Sequence, residues 1–271
     1  MPCLRSVRTR WASDDMQTTP PRIRIEELSI GYGDHAVQQG VSVDILSGEI
    51  FAIVGDSGSG KSTLLKTMVG LMPAQKGRVL FDGVPLDHRM RNSAPPFGIL
   101  FQNGALWTSM TVLENVITPM DLHEYALPAA RPALAHFKLA LVGLAADEDR
   151  YPASLSGGMR KRAALARALA LDPGVLFLDE PSAGLDPLTS RRLDELVVSL
   201  RDGLGITVVL VTHELASLYN IADRMIFLDG EAHRPVAIGR PAELARSAAN
   251  EKVREFLTVR IPAVHLDGTR S

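Results

Sequence analysis

The feature that most constrains the fold is a glycine-rich stretch of eight residues that follows an apolar run and precedes a helical pattern. The run 50–54 predicts a buried strand, and residues 62 to about 70 predict a helix. Glycines at such a junction let backbone N–H groups approach phosphates, and the helix N-terminus adds positive partial charge. The spacing G-x-x-x-x-G-K-S in this context therefore predicts a site for a nucleoside triphosphate. The residues of this phosphate loop are Gly55, Asp56, Ser57, Gly58, Ser59, Gly60, Lys61 and Ser62.

The last residues of the loop have side chains suited to phosphate chemistry. Lys61 is expected to reach the terminal phosphates, and the Ser62 hydroxyl is expected to coordinate Mg²⁺. Thr63 follows directly and is included among the predicted nucleotide-binding residues. A glycine-rich connector without a ligand would leave the Lys61-Ser62 pair unexplained.

A second motif is a pair of acidic residues at the end of an apolar strand pattern. Residues 175–178 are apolar, and Asp179 and Glu180 follow them, at the strand end where α/β sheets place ligands. Asp179 is suited to support Mg²⁺, and Glu180 is suited to polarise an attacking water. Acidic residues after a strand are common, so this motif indicates a catalytic site only in combination with the phosphate loop.

A third motif, Ser156-Gly157-Gly158, precedes a helical pattern from about Met159 to Ala170. A serine and two glycines at a helix N-terminus form an anion site. The phosphate loop does not require a second such site, so the motif implies a second chain. For the basic residues of this helix, taken one by one, a solvated helix face is the favoured interpretation. These residues are Arg160, Lys161 and Arg162.

The order of the predicted elements gives an α/β fold class. Alternating apolar residues over 22–45 predict an antiparallel sheet. Residues 112–144 have a largely helical pattern, and the strand and helix patterns over 159–211 predict a parallel central sheet. Three prolines are expected to interrupt the helical region: Pro119, Pro128 and Pro132.

These elements divide the chain into three predicted parts. Residues 1–21 lack apolar periodicity and are expected to form a flexible tail, within which Met16 is an alternative start. Residues 22–240 are expected to form the main domain, with a helical subdomain at about 103–160. Residues 241–271 are expected to form a C-terminal helical extension.

Composition excludes several classes of protein. A net charge of −2 gives no global basic surface, so nucleic acid is not an expected partner. The single cysteine, Cys3, allows neither a disulfide framework nor a cysteine zinc site. No apolar run reaches the ~18 to 20 residues that span a bilayer. We therefore expect a protein of the reducing cytoplasm.

Together, the three motifs and their order resemble the ATP-binding cassette (ABC) family over residues 23 to about 239. The resemblance implies a P-loop NTPase fold, with a RecA-like parallel-sheet core, an antiparallel β subdomain and a helical subdomain. It implies that adenine stacks on Tyr32, that Gln102 links Mg²⁺ and water to a transport partner, and that His213 contacts the γ-phosphate. The segment Ser182-Ala-Gly-Leu-Asp186 matches the loop that couples two nucleotide sites, which places Asp186 among the nucleotide-binding residues.

The same resemblance implies that two copies enclose two ATP molecules. Each ATP would lie between the phosphate loop of one chain and the Ser156-Gly157-Gly158 segment of the other. Hydrolysis would then reopen the homodimer. The implied catalytic residues are Glu180, His213, Gln102 and Lys61, and the implied Mg²⁺ ligands are Ser62, Gln102 and Asp179.

A narrower resemblance indicates a subfamily. In the ABC family, the motif that corresponds to Ser156-Gly157-Gly158 is called the signature, and it usually ends in glutamine. This chain has Met159 at that position, which puts a polar contact there in doubt. The sequence around Met159, together with residues 97–116 and 253–257, is similar to lipid-transport ATPases that work with mammalian-cell-entry (MCE) proteins and maintain lipid asymmetry. The implied partners are an integral-membrane permease and an MCE-type lipid-binding protein, at the cytoplasmic face of the inner membrane. Leu106 and Trp107 either contact the permease or anchor the helical subdomain.

Two alternatives remain at this point. The first is the ATPase of a polar-solute importer, which would keep every site residue above. The second is a non-transport cassette protein acting on ribosomes or DNA. Members of that kind usually carry two cassettes or a long coiled coil, and neither fits 271 residues. A catalytically inactive member is disfavoured because Lys61, Glu180 and His213 are all present.

Overall fold

The computed structural model describes residues 20–87 and 95–258. Most of the predicted tail, including Met16, lies outside the described residues. The end of the predicted C-terminal extension, residues 259–271, lies outside them too. Within the described residues, the chain forms two sheets with helices packed around them.

A four-stranded antiparallel sheet contains the first strands of the chain. Its order is β2-β1-β4-β5, and buried apolar residues alternate with exposed ones along β1. This arrangement confirms the antiparallel sheet predicted from the alternating pattern. The strands are β1 (Ile23–Tyr32), β2 (His35–Ile45), β4 (Lys76–Phe81) and β5 (Val84–Pro85).

The central sheet has six strands in the order β10-β9-β3-β8-β7-β6. All pairs are parallel except β10 with β9, and β3, β7 and β8 are buried along their whole length. Such burial on both faces explains why these strands appear as continuous apolar runs. The strands are β3 (Ile50–Gly55), β6 (Phe97–Leu100), β7 (Val175–Asp179), β8 (Thr207–Val211), β9 (Arg224–Asp229) and β10 (Arg234–Gly239).

Helices cover the central sheet and form the predicted helical region. The central sheet with its surrounding helices confirms the predicted α/β class and P-loop NTPase fold. Within residues 20–87 and 95–258, no helix has both the length and the apolar character needed to cross a bilayer. The helices are α1 (Lys61–Met68), α2 (Val112–Leu122), α3 (Arg131–Leu141), α4 (Gly157–Ala168), α5 (Pro187–Leu204), α6 (Leu215–Ile221), α7 (Pro241–Ser247) and α8 (Glu251–Thr258).

The prediction of three proline interruptions is wrong for two of them. Pro119 lies inside α2, which is held by a Thr111–Glu114 capping box and a buried apolar face. Pro132 lies in the first turn of α3, where a missing N–H leaves no hydrogen bond unmade. Only Pro128 separates two helices, at the start of a 3₁₀ turn.

Candidate functional site

The predicted site residues converge on one edge of the central sheet. Strands β6, β7, β8 and β3 run parallel, with Leu100 paired with Leu178 and Val211 paired with both Asp179 and Ile53. Their carboxyl ends therefore lie side by side, at the edge where doubly wound sheets bind ligands. The residues at or just beyond these ends are Gln102, Asp179, Glu180, His213 and the phosphate loop.

Two glycines of the phosphate loop are required by their surroundings. A Cβ on Gly55 would lie 2.2 Å from the Leu228 carbonyl oxygen, closer than any real contact. Gly60, with φ of 93°, occupies the left-handed region directly before α1, and a Cβ there would lie 2.6 Å from Val37 Cγ1. The loop can therefore take this shape only with glycine at both positions.

Lys61 lies over the loop that precedes it. Its Nζ donates to the carbonyl oxygens of Gly55 at 2.9 Å and Asp56 at 2.7 Å. Burial lowers the pKa of Lys61, and the carboxylates of Glu180 and Asp56 oppose that change. The ammonium group is therefore held inside the loop by acceptors that a phosphate can replace.

Ser62 and Asp179 meet as the metal-site prediction requires. Ser62 Oγ donates to Asp179 Oδ1 at 3.3 Å. Burial raises the pKa of Asp179, and the hydrogen bond from Ser62 opposes the rise. A hydroxyl and a carboxylate oxygen are hard donors that suit Mg²⁺, which takes few protein carboxylates and completes its shell with phosphates and water. In the described part of the chain, no three or more His, Cys, Asp or Glu residues are grouped so that they could hold a metal ion by themselves.

Glu180 and His213 are in direct contact. Glu180 Oε2 lies 3.0 Å from His213 Nδ1, and the backbone N–H of Glu180 donates to the Val211 carbonyl at 2.9 Å. Glu180 has a φ of 47°, a conformation that non-glycine residues adopt at a cost of about 1–2 kcal/mol. Such strain is often retained at functional sites, and here it turns the carboxylate towards the sheet edge that holds His213.

Lys161 is part of this site, and the expectation that it lies on a solvated face is wrong. Its side chain is buried, and its Nζ donates to the backbone carbonyl of Gln102 and, at 3.3 Å, to that of Glu180. Burial lowers its pKa, while Asp179 and Glu180 oppose the change. The helical spacing from Lys161 to the buried Ala164 and Ala168 was the available signal for an inward-facing lysine.

The other two basic residues of this helix differ from Lys161. Arg160 is exposed and its Nη1 donates to the Leu155 carbonyl at 2.6 Å. Arg162 is half-buried. The side chain of Met159 is partly buried and packs against the apolar core that includes the helical region.

Gln38, which lies outside the sequence motifs, supports the phosphate loop from behind. It is fully buried, and its Nε2 donates to the Ser59 and Asp229 carbonyl oxygens, both at 2.9 Å. It therefore joins the loop to the turn between β9 and β10. These two strands form a hairpin, and none of the sequence motifs lies in it.

Tyr32 and Gln102 lie near the loop with their side chains exposed. Tyr32 Oη is 3.3 Å from Thr63 Oγ1, and Tyr32 is 57% exposed, which leaves its ring open for stacking beside the loop. Gln102 is also exposed, and the structure fixes its backbone through Lys161. The amide group of Gln102 is thus free to face a ligand at the sheet edge.

The Ser156-Gly157-Gly158 segment forms a separate surface. Ser156 Oγ accepts a hydrogen bond from the Met159 N–H at 3.3 Å and caps α4. A Cβ on Gly158 would lie 2.5 Å from Thr189 Cγ2, so this glycine allows α4 to approach α5 closely. Asp186 caps α5 and accepts from the Thr189 N–H at 3.0 Å, and the hydrogen bonds from Thr189 lower its pKa. In residues 20–87 and 95–258, no hydrogen bond links this segment to the phosphate loop.

Trp107 is held from one side and open on the other. Its backbone is fixed by Asn115, and its ring lies 5.3 Å from the Arg167 guanidinium carbon. Trp107 nevertheless remains 46% exposed. Trp107 can therefore both anchor the helical subdomain and offer an exposed surface for contact with a partner.

Comparison with known proteins agrees with this geometry. Residues 38–183, more than half of the chain, match the family described as ABC transporter. The chain is 34% identical to the probable ribonucleotide transport ATP-binding protein Mkl of Mycobacterium leprae, over 88% of this chain and 69% of that protein. It is 35% identical to the intermembrane phospholipid transport system ATP-binding protein MlaF of Escherichia coli K12, over 89% and 90% of the two chains.

A solved structure extends the agreement to three dimensions. The chain matches the dimeric post-hydrolysis structure of the ATP-binding cassette MJ0796 bound to ADP and Pi, with a TM-score of 0.70. The identity is 28%, and the match covers 80% of this chain and 98% of that one. The phosphate loop, the Asp179-Glu180 pair and His213 are assembled at one sheet edge, and the family match spans the first two of these. The chain belongs to the ABC transporter family, in which it is an ATP-binding and ATP-hydrolysing subunit.

Proposed function

We propose that this chain powers the transport of phospholipids or related hydrophobic molecules. The observation that carries the proposal is the similarity to MlaF over nearly the full length of both chains. The match to Mkl leaves about a third of that protein uncovered. The resemblance of residues 97–116 and 253–257 to lipid-transport ATPases supports the same assignment. The working complex would add an integral-membrane permease and an MCE-type lipid-binding protein.

The proposed active form is a homodimer at the cytoplasmic face of the inner membrane. The Ser156-Gly157-Gly158 segment makes no hydrogen bond with the phosphate loop of its own chain in the described residues, which leaves it available to a second copy. The similar solved structure of MJ0796 is dimeric. Two copies related by a twofold axis would form two equivalent sites, as is usual for homodimers.

The proposed chemistry follows from the geometry at the sheet edge. The phosphate loop and Lys61 bind the phosphates, and Tyr32 offers its ring to adenine. Ser62, Asp179 and Gln102 would hold Mg²⁺, which neutralises phosphate charge. Glu180 accepts the proton of the attacking water, and His213 orients the Glu180 carboxylate and reaches the γ-phosphate. Lys161 fixes the backbones that carry Gln102 and Glu180.

The proposed domain limits are those indicated by the sequence. Residues 22–240 would form the ATPase domain, with residues 103–160 as its helical subdomain. Residues 241–271 would form the C-terminal extension, of which α7 and α8 are described. Val253 and Leu257 of helix α8 belong to the same buried apolar cluster as Ala52 and Val54 of β3, so this extension shares a core with the ATPase domain.

A second candidate is the ATPase of a polar-solute transporter. The name of Mkl, a probable ribonucleotide transport protein, favours this candidate at nearly the same sequence identity as MlaF. The two candidates share every catalytic residue and differ in the partners that select the substrate. Identifying the partners therefore distinguishes the lipid transporter from the polar-solute transporter.

The test is to isolate the full chain with its native membrane partners in mild detergent and to identify the bound proteins and lipids by mass spectrometry. A permease, an MCE-type protein and retained phospholipid are the expected result. A permease with a polar-solute receptor, or ribosomal proteins, would contradict the lipid assignment. Trp107→Ala is expected to reduce permease recovery, whereas Tyr151→Ala, at a comparably exposed aromatic residue, serves as its matched control.

A further inference from the structure

Lys252 links the C-terminal helix to the phosphate loop. Its Nζ lies 3.7 Å from Asp56 Oδ2, 3.3 Å from Asp229 Oδ1 and 3.0 Å from Glu231 Oε2. Asp56 is the second residue of the phosphate loop, Asp229 is the last residue of β9, and Glu231 lies in the turn that follows β9. One ammonium group therefore joins three elements that are far apart in sequence.

The position of Lys252 is set by the core of the protein. The neighbouring Val253 is completely buried, as is Leu257 one turn further on. The Phe256 ring packs edge-on against Phe227 with centroids 5.2 Å apart. Tyr219 Oη donates to the Leu257 carbonyl at 3.0 Å. These contacts hold α8 against the core, so the Lys252 ammonium group lies at a defined position beside the phosphate loop.

The partners of Lys252 are themselves tied to the loop. Asp229 is nearly buried, and its carboxylate accepts from the backbone N–H groups of Glu231 and Ala232. Its carbonyl oxygen accepts from Gln38, which also donates to the Ser59 carbonyl inside the loop. The turn and the loop are thus already joined from behind through Gln38. Lys252 adds a second connection from the solvent side.

The positive charge of Lys252 is expected to affect ATP binding. The Asp56 carboxylate stands in the loop that binds phosphates, where an uncompensated negative charge would repel them. Lys252 supplies the compensating positive charge at 3.7 Å. We propose that Lys252 is a positioning residue for ATP binding: it neutralises Asp56 and holds the phosphate loop against the β9–β10 turn.

The test compares Lys252→Met with the wild type in the full chain. ATP affinity, measured by titration calorimetry, is expected to fall about 2- to 5-fold, the range for a partly exposed ion pair. Steady-state kcat at saturating ATP is expected to stay unchanged, because the lost interaction is equal in the ground and transition states. Lys252→Arg should restore most of the affinity, and added salt should narrow the gap between Lys252→Met and wild type.

Two further variants separate the proposed role from a general loss of charge. Arg246→Met removes one positive charge from the exposed face of α7, where the described residues give it no ion pair, and it should leave ATP affinity unchanged. In an Asp56→Asn background, Lys252→Met should lose most of its effect because the charge to be neutralised is gone. An unchanged affinity in Lys252→Met, an equal loss in Arg246→Met, or a full effect in the Asp56→Asn background would each overturn the proposal.

Discussion

The two proposed nucleotide-binding surfaces of this chain are built in opposite ways. At the sheet edge, functional side chains contact one another: Ser62 with Asp179 at 3.3 Å, and Glu180 with His213 at 3.0 Å. At the Ser156-Gly157-Gly158 segment, called the signature segment from here on, Ser156 only caps its own helix, and it remains exposed. The first surface has its catalytic groups assembled within one chain. The second presents helix-terminal donors that one chain does not use.

In the proposed homodimer, this difference predicts a separate role for each surface. The sheet edge contains the candidate base, the candidate metal ligands and the phosphate loop, so we expect the chemical step to take place there. The signature segment adds the partial positive charge of a helix N-terminus and no titratable group of its own. We therefore expect changes at the sheet edge to affect the chemical step, and changes at the signature segment to affect assembly of the sandwich.

The largest expected effect comes from Glu180→Gln. Hydrolysis should fall by on the order of 10² to 10⁴, the range for a positioned base, while ATP binding is retained. Single-turnover hydrolysis and equilibrium ATP binding measure the two separately. Glu214→Gln is the matched control, since Glu214 lies one residue after His213 and accepts from Ser190 instead. Near-normal turnover in Glu180→Gln would remove this residue from the mechanism.

A smaller effect on the same edge is expected from Lys161→Met. Losing the bonds to the Gln102 and Glu180 carbonyls should lower kcat about 10-fold, equivalent to roughly 1.4 kcal/mol in the barrier. Arg162→Met, the adjacent residue, should change kcat little. Equal effects of both variants would mean that the general charge of α4 matters rather than the buried contact of Lys161.

The smallest expected effect concerns stability at the junction of the two regions. Helix α5 starts near the signature segment, α6 follows His213, and Asp194 is buried where the two helices meet. Burial raises the pKa of Asp194 to about 6. Because the folded-state pKa exceeds the unfolded value of 3.8, the protonated Asp194 carboxyl contributes stability that is fully present below about pH 3.8 and is lost as the pH rises from there through about 6.

Urea denaturation at pH 5 and pH 8 measures this effect. Asp194→Asn should make the protein less sensitive to that pH change, by about 1 to 1.4 kcal/mol in the free energy of unfolding, because part of the effect is already lost below pH 5. Glu195→Gln, at an exposed neighbour that pairs with Arg191, is the control and should leave the pH dependence intact. An unaltered pH dependence in Asp194→Asn would contradict the assignment of this group.

What the sequence could predict depends on how local each feature is. The phosphate loop was predictable because its glycines, Lys61 and Ser62 lie at a fixed spacing within one strand–loop–helix unit. The roles of Gln38 and Lys161 were not, because each depends on carbonyl groups brought close only by the fold. The interruption expected at Pro119 failed for a related reason, since the capping box and the buried face of α2 outweigh one missing hydrogen bond.

The most direct test of the two-surface account mixes two inactive variants. Lys61→Ala removes phosphate binding but keeps the signature segment, and Ser156→Arg blocks the signature segment but keeps the sheet edge. Each variant alone should have little ATPase activity. Random pairing gives mixed dimers with one complete site each, so an equal mixture should recover about one quarter of wild-type activity per chain. A mixture no more active than the mean of the two variants alone would contradict the account.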